Sequence, residues 1–131
     1  MAFFKNLQIE THHNKEFINI TNFIKDSLKE SKVKQGILVV YCPHTTGAIT
    51  INENADPNVQ KDLTSGLSKT FSNLSFLHDN SDAHLKSSVI GPSETFIIEN
   101  NSLVLGIWQN IYFAEFDGPR TREFYIKIIE G

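Results

Sequence analysis

Apolar positions along this chain follow two rhythms, a short one suited to strands and a four-residue one suited to helices. Phe3, Phe4, Leu7 and Ile9 mark a first strand over 3–10, and 16–20 reads as a second. Thr21 then offers an N-cap, and Ile24 and Leu28 at i, i+4 predict an amphipathic helix to about Lys32. Gly36 stops it. The β-branched run over 37–42 predicts a buried strand, which Pro43 closes because proline cannot donate to a ladder. Another strand is expected over 46–52. Asp56-Pro57 then reads as an N-cap and first helical position. Val59, Leu63, Leu67 and Phe71 follow at steps of four, a stripe expected to be core.

Residues 75–86 are polar and rich in His, Asp and Asn, so an ordered functional loop with a short helical turn is expected there. Strands are expected over 88–90, 95–99, 103–107, 111–116 and 122–129. Asn100-Asn101 reads as a hairpin turn, because Asn tolerates positive φ, and Asp117-Gly118-Pro119 as another turn. Strands, helix, strands, helix and a long strand run predict an α+β fold with a mostly antiparallel sheet or sandwich. The phosphate-binding glycine fingerprints of nucleotide folds are absent.

Composition narrows the chemistry. A net charge of −3 gives nucleic acid no electrostatic advantage. The longest apolar run, over 37–41, is far short of the roughly 20 residues a membrane helix needs. The N-terminus lacks the h-region of a signal peptide, so a cytoplasmic protein without nucleic-acid or membrane partners is expected. Cys42 is the only cysteine, which rules out an internal disulfide framework and a cysteine-rich zinc site.

Five histidines remain as metal candidates. His78 and His84 stand six residues apart with Asp79 and Asp82 between them, and His44 follows a buried strand. Three imidazoles plus a water would make an open catalytic-type site, although a solvated polar loop accounts for the same spacing. His12-His13 reads as an exposed strand end or turn. Glu53, beside the helix that starts near Pro57, suits a general base or the helix dipole. Arg120 could grip phosphate bidentately or close a turn salt bridge with Asp117. The single tryptophan, Trp108, reads as core, and its neighbour Gln109 is an unexplained polar group in a strand-like stretch.

These segments together resemble the YjbQ-like family. The run from Pro43-His44-Thr45-Thr46-Gly47 through Asn52-Glu53-Asn54-Ala55-Asp56-Pro57 is similar to its central block. His84-Leu85-Lys86-Ser87-Ser88 with Ile90-Gly91-Pro92-Ser93 is similar to the second. Gly106-Ile107-Trp108-Gln109 and Glu115-Phe116-Asp117-Gly118-Pro119-Arg120 are similar to the third and fourth. One departure is Ile107, where the family usually has Thr. The resemblance implies a single α+β domain over 1–131 with a β-sandwich-like core and two to three helices, assembled as a homotrimer. It implies a divalent metal, zinc being the candidate, on His44, His78 and His84. It also implies an activity of the thiamine-phosphate synthase type. Such an enzyme joins hydroxymethylpyrimidine diphosphate to thiazole phosphate and releases pyrophosphate. For that chemistry Asp82, Glu53 and Glu115 are the candidate acids. Thr45, Thr46, Asn52, Gln109 and Arg120 are the candidate substrate and phosphate contacts. A binding module without turnover and a metal-assisted hydrolase are the rival readings.

Overall fold

A computed structural model describes residues 2–71 and 74–131. The described residues form eight strands and three helices. Strands β1 (Ala2–Glu10), β8 (Thr121–Glu130), β3 (Gly36–Tyr41), β5 (Ser93–Glu99) and β6 (Ser102–Leu103) make a five-stranded sheet in that order. Strands β2 (Glu16–Asn19), β7 (Gln109–Glu115) and β4 (Gly47–Glu53) make a second sheet of three. Every pairing is antiparallel, as the sequence pattern predicts. The longest register, Ala2↔Ile129 to Glu10↔Thr121, joins the two ends of the described chain.

Alternation explains the layer between the sheets. On β8 the residues Arg122, Phe124, Ile126 and Ile128 are all buried while their neighbours are more exposed. Phe124, Ile126 and Ile128 meet Leu38 and Val40 of β3, Ile49 of β4 and Ile111 and Phe113 of β7 in one apolar core. Helix α1 (Thr21–Ser31) adds Ile24 and Leu28 to it. Thr21 is not the cap of that helix. Ile20 holds the cap position, and the Asn19 carboxamide accepts from the Thr21 N–H at 3.0 Å. The Thr21 hydroxyl instead accepts from the Ile111 N–H at 2.8 Å and so ties the helix to β7.

Helix α2 (Pro57–Thr70) begins as expected: the Asp56 carboxylate accepts from the Asn58 N–H at 2.9 Å, with Pro57 in the first turn. Its apolar stripe departs from expectation. No residue of α2 is buried, and Val59, Leu63 and Leu67 are only half-buried. The period was right, but in one chain only Leu67 finds a core to pack on.

The largest correction concerns 75–90. Where a loop and then a strand over 88–90 were expected, helix α3 runs from Ser81 to Ile90. Tertiary contacts hold it: Ala83 packs on Ala48, Ala114 and Phe116, and the Ser87 hydroxyl donates to the Gly47 carbonyl at 2.6 Å. A helix fixed by one small residue and one hydroxyl carries no amphipathic stripe to read. The expected strand over 103–107 is also cut short. Gln109 accepts from the Gly106 N–H through its side chain at 2.7 Å and turns the chain there. Asn100 and Asn101 do take positive φ, at 51° and 64°. No helix among the described residues is long and apolar enough to cross a membrane.

Candidate functional site

The turn between β7 and β8 gathers much of the polar machinery. Glu115 ends β7 with no exposed surface. One carboxylate oxygen accepts from the Thr11 hydroxyl and from Arg122 Nε, both at 2.8 Å. The other accepts from the Asp117 N–H at 3.0 Å and from the Arg122 guanidinium. Burial alone would raise the Glu115 pKa, but these bonds outweigh it and hold the carboxyl below the usual range. Arg122 also donates to the Thr46 hydroxyl at 2.8 Å. Glu115 and Thr46, expected to act on substrate, are thus both buried and committed to this network. They hold the turn in place. Gly118 lets it lie flat, since a Cβ there would stand 2.4 Å from the His13 carbonyl oxygen.

Arg120, two residues before Arg122, is exposed. Its guanidinium donates to the Asp117 carbonyl at 2.9 Å and to the Asp117 carboxylate at 3.1 Å. The turn salt bridge of the sequence reading therefore exists, and it holds the guanidinium at the surface. The same Asp117 carboxylate accepts from the Asn80 amide at 3.0 Å, which brings the start of α3 to the turn. The oxygen of that carboxamide, Asn80 Oδ1, is buried and accepts no hydrogen bond within the described residues.

Beside this junction lies a cleft of about 580 Å³ lined by Lys15, Asp79, Asp82, Lys86 and the apolar Phe71 and Phe76. The ammonium groups of Lys15 and Lys86 each stand 3.4 Å from the same Asp82 oxygen. Lys86 is 1 % exposed, and lysine is almost never so buried unless paired. Burial first, then the charge of Lys15, push its pKa down against the pull of Asp82. Burial would raise Asp82, but the two lysines hold it below its ordinary value. With Asp79 also in the lining, two lysines face two carboxylates, and both ammonium groups converge on one oxygen of Asp82. Sequence reasoning missed both lysines. Lys86 stands inside the block that begins at His84, and only its burial marks it out.

The histidines divide. His78 and His84 face each other edge to face, with ring centroids 5.8 Å apart. His44 stands elsewhere on the chain's framework, where its Nε2 accepts from the Glu123 N–H at 2.9 Å. Burial and then the charge of Arg122 lower its pKa, so the ring is neutral near pH 7 with its proton on Nδ1. That tautomer leaves no lone pair free for a metal. Among the described residues no group of three or more His, Cys, Asp and Glu is placed to hold a metal ion. The three histidines therefore do not fit a three-ligand centre within one chain, while the His78–His84 pair has the donors for a two-ligand one. His12 and His13 are exposed, and both backbone N–H groups donate to Glu16, at 2.6 and 2.8 Å.

The remaining candidates lie at the other end of the β4–β7 ladder, where Asn52 faces Asn110 and Glu53 faces Gln109 across the strands. The Asn52 carboxamide accepts from the Glu53 N–H at 2.8 Å. The Tyr112 hydroxyl donates to the Asn54 carboxamide at 2.8 Å, beside Glu53. Thr45 is exposed. Trp108 is no core residue: it is 60 % exposed, because the turn from Gly106 to Gln109 carries it off the sheet. The structure thus brings Thr46, Glu115, Arg120 and Asp82 to one end of β7, and Asn52, Glu53 and Gln109 to the other.

Comparison with known sequences and structures agrees with this fold. The family model described as UPF0047 protein YjbQ-like matches residues 5–131. The UPF0047 protein MJ1081 of Methanocaldococcus jannaschii is 54 % identical over 125 residues, covering 93 % of this chain and 91 % of the relative. YugU of Bacillus subtilis is 47 % identical over 129 residues, covering 95 % and 98 %. A YjbQ/UPF0047-family crystal structure from Clostridium acetobutylicum superposes with a TM-score of 0.92 at 49 % identity, covering 95 % of this chain and 99 % of that one. A YbjQ-like protein of unknown function from Sulfolobus solfataricus reaches 0.95 at 28 % identity, covering 100 % and 99 %.

Proposed function

The chain belongs to the YjbQ-like UPF0047 family, and from that premise we propose that it is a cytoplasmic enzyme acting on small phosphorylated substrates, with thiamine-phosphate synthase-type activity. The observation that carries this reading is the pair of ammonium groups, Lys15 and Lys86, on one Asp82 oxygen in the lining of a cleft with an aromatic wall. In that reaction the bond between the pyrimidine methylene and the diphosphate oxygen breaks, and its electron pair leaves with pyrophosphate. The thiazole nitrogen lone pair then forms the new C–N bond. The step needs fixed positive charge where the leaving group gathers negative charge, and little else. Lys15, Lys86 and the surface-held Arg120 supply it. Phe71 and Phe76 offer the ring an apolar wall. Asp82 sets the position of both lysines, and Glu53 stands too far along the ladder to share this role.

A divalent metal on His78 and His84 would add Lewis-acid charge to the same end of the molecule. Zinc is the first candidate, since imidazole suits it. Purified protein should then carry metal that His78→Ala with His84→Ala loses; equal metal content in both would overturn that part. The half-buried stripe of α2 and the exposed Leu74 and Leu77 suit burial against another copy of the chain; the homotrimer rests on the family resemblance, and a monomer mass by light scattering would refute it.

The central test is thiamine phosphate formation from hydroxymethylpyrimidine diphosphate and thiazole phosphate by the purified protein. Wild type should form product, and Lys86→Met should lose at least about a hundredfold in rate, the usual scale for removing one electrostatic stabiliser. Product formation by Lys86→Met at the wild-type rate, or none by a folded wild type, would sink the reading.

A further inference from the structure

The end of β7 opposite Lys15 and Lys86 opens on a larger cleft of about 700 Å³, between α1 and the segment 101–110. Lys25, Lys29 and Lys32 line its helical wall. The four-residue spacing of Lys25 and Lys29 puts both on one side of the helix, and Lys32 follows at its C-cap with φ 61°. No carboxylate lines this cleft. None of the three lysines makes an ion pair among the described residues, and Glu30 of the same helix is taken by Lys5 at 2.6 Å. In a chain of net charge −3, a concave surface with three cations and no acid runs against the average. Lysines near a helix C-terminus complement its dipole, which accounts for Lys29 and Lys32. It accounts neither for Lys25, which sits in mid-helix, nor for the missing acids.

The opposite wall adds a fixed donor. The Gln109 side chain accepts from the Gly106 N–H at 2.7 Å, and the Gln109 N–H returns to the Gly106 carbonyl at 3.0 Å. The carboxamide is thereby oriented, and its Nε2 makes no hydrogen bond within the described residues. Leu103 and Leu105 line the same cleft as apolar surface.

We propose that this cleft binds a small phosphate monoester with an apolar body. The lysines and Gln109 Nε2 take the phosphate, and the leucines take the body. The site is distinct from the one around Asp82, because the seven residues of β7 separate their ends by about 20 Å. It therefore stands or falls independently of the synthase-type reading.

Phenyl phosphate is a suitable probe, with inorganic phosphate and phenol as its two halves. Calorimetry should find phenyl phosphate at least about tenfold tighter than either half, a gap of about 1.4 kcal/mol. Amide NMR shifts should fall on residues 25–33 and 101–110. Lys25→Ala with Lys29→Ala should weaken binding about tenfold or more; both side chains are exposed, so circular dichroism should match wild type. Unchanged affinity in that double variant, shifts confined to 79–86 and 115–122, or inorganic phosphate binding as tightly as phenyl phosphate would overturn the proposal.

Discussion

At the Glu115 end of β7, a carboxylate with no exposed surface meets a guanidinium 2 % exposed, and both carboxylate oxygens have partners. Two residues before that guanidinium, Arg120 makes a similar pair with Asp117 at the surface. At the Gln109 end, three lysines surround a cleft with no acid at all. Each of these places looks alike in the sequence, as charges scattered among turn residues. What separates them is how much of each charge is already spent. A buried pair whose carboxylate is bonded at both oxygens is committed to the framework, and its role is to hold the turn on which Arg120 stands. Charges in excess of their partners are the ones that can recognise an anion.

The comparison breaks first, if it breaks, at Arg122. Arg122→Met should cost about 3–5 kcal/mol, since it leaves the Glu115 carboxylate buried and unpaired. Adding Glu115→Leu should recover most of that loss, because apolar replacement of a whole buried pair is often neutral. Urea denaturation measures both, and a single-variant cost near zero would mean that Glu115 is not committed to the pair.

Acid should act through the same residue. Glu115 is held below the ordinary carboxylate range in the fold, so its contribution is fully present above the unfolded value of about 4.3. It is lost as pH falls through the folded value. Denaturation midpoints between pH 6 and 3 should therefore drop on the acid side in wild type. The drop should be shallower in Glu115→Gln, and equal slopes would contradict the assignment.

The smallest stability effect belongs to Arg120. Arg120→Ala should cost less than about 1 kcal/mol, as its pair with Asp117 is half-exposed and screened. Yet it should weaken pyrophosphate binding measurably by calorimetry. An equal pyrophosphate affinity with a large stability loss would reverse the contrast between the two arginines.

Much of the fold was legible in the chain. The alternation on β8, the Asp56-Pro57 start of α2 and the two asparagines at positive φ are local signals, set by period, capping and backbone sterics. Helix α3 was not legible, because Ala83 and Ser87 are fixed by β4 and not by a period of their own. The candidate site was legible as residue types and not as roles. His44 was read as a metal ligand, Glu115 as an acid and Thr46 as a phosphate contact, and each is bound within the framework. Lys15 and Lys86 carried no signal, since an ordinary surface lysine and a buried one are the same letter.

Sequence alone determined the strand and helix periods, the family blocks and the single cysteine that leaves metal binding to imidazoles and carboxylates. Tertiary structure alone decided which charges meet. Charge pairing depends on the register of β4 against β7 and on where α3 docks, and these bring together residues as far apart as Lys15, Asp82 and Asp117. Desolvation then acts on whatever that packing encloses, so burial separates the structural ions from the available ones.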